Sequence, residues 1–268
     1  MTVKQLTLPE LTAACARLGI PGIGLWRGPV AQYGLAATAR LVRGAGLTVT
    51  TLCRGGFFTT ATDLDDNRAA VDEAAALGTD TLVLVSGGLP PGTKDLPAAR
   101  ARVADALAEL APYAAERGVR LAIEPLHPMY AADRCVVSTL DQALALAERF
   151  PASQVGVVVD TYHVWWDDRA PTAVARAGEQ GRVHAFQLAD WTTPLPAGAL
   201  TGRGPLGDGA IDLRAWHDRV DAAGYRGPVE VELFNAGLWA RDGAEVLAET
   251  AQRYVRLTRR AEGGAPEK

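Results

Sequence analysis

Three carboxylates in this chain sit where chemistry is done rather than where charge is simply solvated. Glu124 closes the apolar run GVRLAIEP, Asp160 closes QVGVVVD, and Glu232 lies near the end of GPVEVELF. Each run is short, rich in Val, Ile and Leu, and apolar at nearly every position before its polar end. That is the pattern of a parallel strand covered on both faces. Side chains alternate along a strand with a period of two. Leu121 and Ile123 therefore share one face and Ala122 and Glu124 the other. Val157 and Val159 oppose Gly156, Val158 and Asp160. Val229, Val231 and Leu233 oppose Glu230 and Glu232. If the first face of each strand meets helices, all the carboxylates aim inward. Unpaired, such a cluster is costly or takes up protons, and a divalent cation resolves the conflict. Oxygen ligands favour Mg or Mn over a structural zinc, with Co or Zn as alternatives.

Other polar residues close the remaining apolar runs: Trp26-Arg27, Cys53-Arg54-Gly55-Gly56, Ser86-Gly87-Gly88, and Gln187 with Asp190. Glu230, two residues deeper than Glu232, reads as hydrogen-bonded structure. Cys53 reads as packing, because no His stands in a recognisable pairing with it. Among the four His, His163 follows Asp160 by three residues at the rim, and His127 in EPLHPMY lies close enough to reach a substrate. His184 reads as interior and His217 as a helix-face residue. Trp165, Trp166 and Trp191 follow strand ends, where an indole can stack on a sugar face.

The elements that hold these residues alternate regularly. Strands are predicted over 20–26, 46–52, 80–87, 118–125, 154–160, 182–190 and 227–234, with eight helical stretches between and around them. Repeated βα units without a Gly-rich phosphate loop after the first strand favour a single-domain (β/α)8 TIM barrel over a doubly wound sheet. Barrel enzymes place reacting groups at the carboxyl ends of strands, which is where these carboxylates stand. The series is one strand short. Either residues 2–7 pair as a short first strand, or the natural chain begins further upstream. VKQLTLPE reads as a loop leading into a helix N-terminus at Pro9, which favours the second. A gap is then expected between the strands at 20–26 and 227–234. The domain is assigned to 1–260, with 261–268 (EGGAPEK and the preceding Ala) as a disordered tail.

Composition narrows the class. The chain has 268 residues, 48% of them hydrophobic, and a formal net charge of −4. That sign opposes binding to a phosphate backbone, so no nucleic-acid partner is expected. No apolar run approaches the ~18 residues that span a bilayer, and the start lacks the apolar core of a signal peptide. A cytoplasmic protein without membrane attachment is expected. Three cysteines without C-x-x-C spacing indicate neither a disulfide scaffold nor a thiolate metal site.

The ordered set LAIEPL, VVDTYH, FQLADW, GRGPLGDGAIDL and VEVELF resembles the sugar phosphate isomerase/epimerase family of the xylose-isomerase-like TIM barrels. That group also holds ketose 3-epimerases, hydroxypyruvate isomerase and inosose dehydratase. The resemblance covers essentially the whole chain. It implies metal ligands at Glu124, Asp160, Gln187 and Glu232, with Glu124 and Glu232 also handling protons. Many relatives carry His where this chain has Gln187. It further implies substrate contacts from His163 and Arg203, with Arg54, His127, Trp26 and Trp166 as further candidates at the rim. Arg54, Arg134 or Arg203 is expected to hold a distal hydroxyl, carboxylate or phosphate. The implied activity is isomerisation or epimerisation of a sugar or sugar phosphate through an enediolate. A metal-dependent hydro-lyase of the inosose dehydratase type is the alternative, and a barrel that binds a sugar without catalysis is a third. Apurinic endonuclease relatives need a His-rich trinuclear zinc site and a basic surface, which four His and a negative charge do not supply. Homo-oligomers are common in the family, and no self-complementary patch is legible in the sequence.

Overall fold

A computed structural model describes residues 1–60 and 64–259; the expected tail at 261–268 lies outside the described residues. Seven parallel strands form one sheet in the order β1-β2-β3-β4-β5-β6-β9. They are β1 (Gly22–Trp26), β2 (Thr48–Gly56), β3 (Thr81–Val85), β4 (Arg120–Ile123), β5 (Val155–Asp160), β6 (Val183–Leu188) and β9 (Val229–Val231). Each falls within or against an apolar run picked out in the sequence. Between β6 and β9 lies a small antiparallel ladder of β7 (Asp190–Trp191) and β8 (Arg203–Gly204). The architecture is a single-domain TIM barrel whose parallel sheet is nearly closed.

The period of two holds. Cys53, Val83, Ala122, Val158 and Ala185 form a buried layer on the barrel axis, with Trp26 packed against it. Leu121, Ile123, Val157 and Val159 belong instead to the larger cluster between sheet and helices. Small residues at Ala122 and Ala185 leave the axis room for the polar side chains above them. Helix starts follow local capping chemistry: Thr7 and Glu10 close a capping box, and Asp95, Thr139, Asp212 and Asp242 each accept a first-turn backbone N–H. Arg27–Tyr33, directly after β1, is a short helix that is not among the helical stretches expected from the sequence.

The gap lies where the sequence places it. Among the described residues no backbone ladder joins β1 to β9. Residues 2–7 do not pair as a strand; they form turns, and Thr2 does the covering with its side chain. Its hydroxyl donates to Val231 O at 2.7 Å and accepts the N–H of Leu233 at 3.0 Å. Two backbone groups at the open edge of the last strand are thereby satisfied, which an exposed strand edge requires. Glu230 fills the rest of the seam from inside. A Cβ added at Gly24 would stand 2.8 Å from its Oε1, so any larger residue there would have to displace the Glu230 carboxylate.

Candidate active site

The carboxyl ends of β4, β5 and β9 deliver the three carboxylates to one volume. Glu124 is 5% exposed, Asp160 0% and Glu232 9%. Single ligand atoms of Glu124, Asp160 and His163 all lie within 4.8 Å of one another, the span of a metal-ligand set. His163 Nε2 stands 4.0 Å from Glu124 Oε1 and 3.8 Å from Asp160 Oδ2.

Arg203 binds this group into a unit. From β8 its Nη1 donates to Asp160 Oδ2 at 3.0 Å, Glu232 Oε2 at 2.8 Å and the Glu232 carbonyl at 3.1 Å. Its guanidinium carbon lies 5.0 Å from the Tyr162 ring centre and 4.9 Å from that of Phe234. Trp26 completes the hold on Glu232, donating from Nε1 to Oε1 at 3.2 Å. The Arg203–Glu232 and Trp26–Glu232 bonds were beyond sequence reasoning, because they join residues 29 and 206 positions apart. Tyr162 and Phe234, which sandwich the guanidinium, were also missed. Their adjacency to Asp160 and Glu232 was the available signal.

Charge counting explains the electrostatics. Burial pushes the Glu124 carboxyl well above the usual carboxylate range, and Glu232 and Asp160 push the same way. Burial raises Asp160 to about 6 despite Arg203. Burial works against the charge on Arg203 as well, but Asp160, Glu232 and Glu124 outweigh it and raise its pKa. His163 is held well below its ordinary value by burial, then by Arg203 and His127. The ring is therefore neutral at pH 7. Its Nδ1 faces the backbone N–H of His127 at 3.2 Å and its Nε2 faces Arg203 Nη2 at 3.1 Å, so both ring nitrogens stand against donors, and Nε2 is also the nitrogen turned towards Glu124 and Asp160. Acidic groups outnumber the one guanidinium at this end of the barrel, an excess that a divalent cation would relieve.

Gln187 is also at this end, but tied downward. Its Nε2 donates to Glu230 Oε2 at 2.9 Å, and its Oε1 is buried without a hydrogen-bond partner. Glu230 accepts further hydrogen bonds from Thr50 and, at 2.8 Å, from Thr51, the structural role read from its position. The donor set fits a divalent ion: Glu124 and Asp160 with His163, Glu232 tied to Asp160 through Arg203, and the Gln187 amide oxygen buried without a partner.

The rim residues divide. His127 packs its ring 5.1 Å from Trp191 and 5.5 Å from Trp166, and Trp166 Nε1 donates to His163 O at 2.8 Å. Trp191 lies 4.9 Å from Tyr162 and 5.5 Å from Trp165, so these rings make one aromatic wall. Arg54 is half-buried and stacks 4.0 Å over Phe57. Burial lowers its pKa, and Arg134 adds to the effect. Arg134 pairs with Asp133 at 3.5 Å. Asp190 is not in the cluster. Its carboxylate accepts the N–H groups of Trp191, Gly207, Gly209 and Ile211 at 2.8–3.1 Å and so folds the Gly-rich loop that carries Arg203. Cys53 is buried on the axis, as packing. His184 Nε2 lies 2.9 Å from Ala152 O in the interior, and His217 is on the helix Leu213–Ala222. Among the described residues no helix is long and apolar enough to cross a membrane.

Three comparisons with known proteins bear on this geometry. Protein SMc04130 of Sinorhizobium meliloti 1021, a solved structure, is 48% identical with a TM-score of 0.91, covering 96% of this chain and 95% of that one. A 3-dehydroshikimate dehydratase of Pseudomonas aeruginosa is 30% identical over 249 residues, 87% of this chain and 37% of that protein. An inosose isomerase of Bacillus subtilis is 29% identical over 152 residues, 56% of this chain and 52% of that protein. The chain thus spans about a third to a half of the length of these curated relatives. The model of the xylose isomerase-like TIM barrel matches residues 12–250. With most of its 268 residues matched, the chain belongs to the xylose isomerase-like TIM barrel family.

Proposed function

We propose that this chain moves a proton at the carbon beside the carbonyl of a polyhydroxylated ketone, with isomerisation or epimerisation as the outcome. The observation that carries the reading is the buried cluster of Glu124, Asp160 and Glu232 around one guanidinium, beside the neutral ring of His163. Glu124, Asp160, Gln187 and Glu232 would hold one divalent cation. Bound there, Mg or Mn supplies Lewis-acid polarisation of the substrate carbonyl. Glu232 removes the α-proton, held in one orientation by Trp26 and Arg203. Glu124 returns a proton, to the other face or to the adjacent carbon, a role suited to a carboxyl whose burial favours the protonated form. His163, whose Nε2 lies 3.1 Å from Arg203 Nη2, orients the substrate oxygen together with that guanidinium. The wall of His127, Trp166 and Trp191 excludes water and presents a flat apolar surface to the carbon skeleton.

A second reading is loss of water from a cyclic hydroxyketone. It is favoured by the span of the likeness to a 3-dehydroshikimate dehydratase, 87% of the chain against 56% for the inosose isomerase. There the same α-proton is removed and the β-hydroxyl leaves as water, taking one proton with it.

One experiment separates these outcomes. Purified protein with added Mn2+ is incubated in D2O with a panel of ketoses, their phosphates, keto-acids and cyclic hydroxyketones. Deuterium at the α-carbon, abolished by a chelator and restored by Mn2+, is the expected result. Deuterium uptake with no other change of mass marks isomerisation or epimerisation, and loss of one water marks the hydro-lyase. Tight Mn2+ binding with no exchange on any substrate would leave a barrel that binds without catalysing.

A further inference from the structure

Gln187 and Glu230 are direct register partners on β6 and β9. Gln187 is 3% exposed, so its carboxamide has no water to satisfy it. An amide oxygen and nitrogen are nearly the same size, and only their partners decide which way the group turns. A carboxylate accepts and does not donate. The bond from Nε2 to Glu230 Oε2 at 2.9 Å therefore fixes the amide with its nitrogen down, leaving Oε1 buried and unpartnered. Glu230 is itself fixed. Thr50 and Thr51 both donate to its other oxygen, and the missing side chain of Gly24 is the space that carboxylate occupies.

We propose that Glu230 is a positioning residue that turns the Gln187 oxygen towards the metal position and so biases the site to hard ions such as Mn2+ over Zn2+. The proposal rests on the metal reading above. The chain of contact runs from Thr50 and Thr51 through Glu230 to Gln187, and none of the first three touches the ion. An amide oxygen in place of an imidazole nitrogen at this position adds one oxygen to the set, which suits Mg2+ and Mn2+, whereas nitrogen ligands favour Zn2+.

The test is calorimetric binding of Mn2+ and Zn2+ to the full chain, with each variant's fold checked by circular dichroism and thermal melting. Partners of a metal ligand typically contribute about 10- to 100-fold in affinity. Glu230→Gln lets the two amides turn together and is expected to weaken Mn2+ about 10-fold. Gln187→Leu is expected to weaken it about 10- to 100-fold. Gln187→His, whose ring N–H can take the same Glu230 oxygen, is expected to keep Mn2+ binding and raise the Zn2+/Mn2+ affinity ratio about 10-fold or more. Should Glu230→Gln fail to fold, Thr51→Val, which removes one donor to Glu230, takes its place, with a smaller loss expected. Parental Mn2+ affinity in Glu230→Gln, or in Thr51→Val where that variant takes its place, with loss in Gln187→Leu, overturns the positioning role. Parental behaviour of every Gln187 variant, with loss in Glu124→Gln and Asp160→Asn, overturns the inference and leaves the metal reading standing. Unchanged binding in those last two overturns the metal reading itself.

Discussion

Replacing Glu232 by Gln should reduce α-proton exchange by about 10²- to 10⁴-fold at saturating metal, the range expected for loss of a general base. The substitution keeps volume and one acceptor. Trp26 Nε1 can still donate to the retained oxygen, while the new amide nitrogen faces Arg203 Nη1, which now stands 2.8 Å from Oε2. The fold should survive, because Arg203 keeps Asp160 Oδ2 and the Glu232 carbonyl as acceptors. Exchange is to be followed by mass spectrometry under metal saturation, so that weaker ion binding does not pass for lost chemistry. A variant that exchanges at close to the parental rate would remove Glu232 from the mechanism.

The second large effect is expected from Arg203→Met. This side chain is 3% exposed and is the only cation that hydrogen-bonds Asp160 or Glu232 among the described residues. Removing one partner of a buried ion pair leaves an uncompensated charge and costs about 3–5 kcal/mol. At roughly 2–4 °C per kcal/mol for chains near this size, the melting temperature should fall by about 10 °C. Met fills the slot between Tyr162 and Phe234, so the loss is one of charge rather than volume. Added Mn2+ should raise the melting temperature more in the variant than in the parent, since the ion then meets more unbalanced negative charge. A melting temperature within a degree or two of the parent would show that water already screens the carboxylates.

Much of this was legible in the sequence, for identifiable reasons. Strands buried on both faces read as continuous apolar runs, so VGVVVD and LVLV declare themselves, and the period of two sends Asp160, Glu124 and Glu232 inward. What escaped was either too short for periodicity or made by distant residues. β7 and β8 are two residues each. Arg27–Tyr33 carries a Gly and a Pro that mimic a loop. Asp190 looks from the sequence like one more strand-end carboxylate, yet four backbone N–H groups claim it, and nothing local announces that. The grip of Arg203 on two carboxylates from different strands is a tertiary fact that no local pattern contains.

The seam between β1 and β9 has a consequence for the order of events in folding. Each of the five ladders from β1 to β6 joins strands consecutive in the sheet and in sequence, so their closure loops are short and their entropic cost is met early. The seam instead joins Trp26 to Glu232 across 206 residues and Thr2 to Val231 across 229, with side chains and no ladder. Few bonds answer a large closure, so this contact should form last. In refolding from denaturant, recovery of far-ultraviolet ellipticity should precede recovery of proton exchange; simultaneous recovery would contradict that order. A chain that has acquired nearly all of its secondary structure is then still without proton exchange, and exchange becomes the report that Thr2 and Trp26 have reached the last strand.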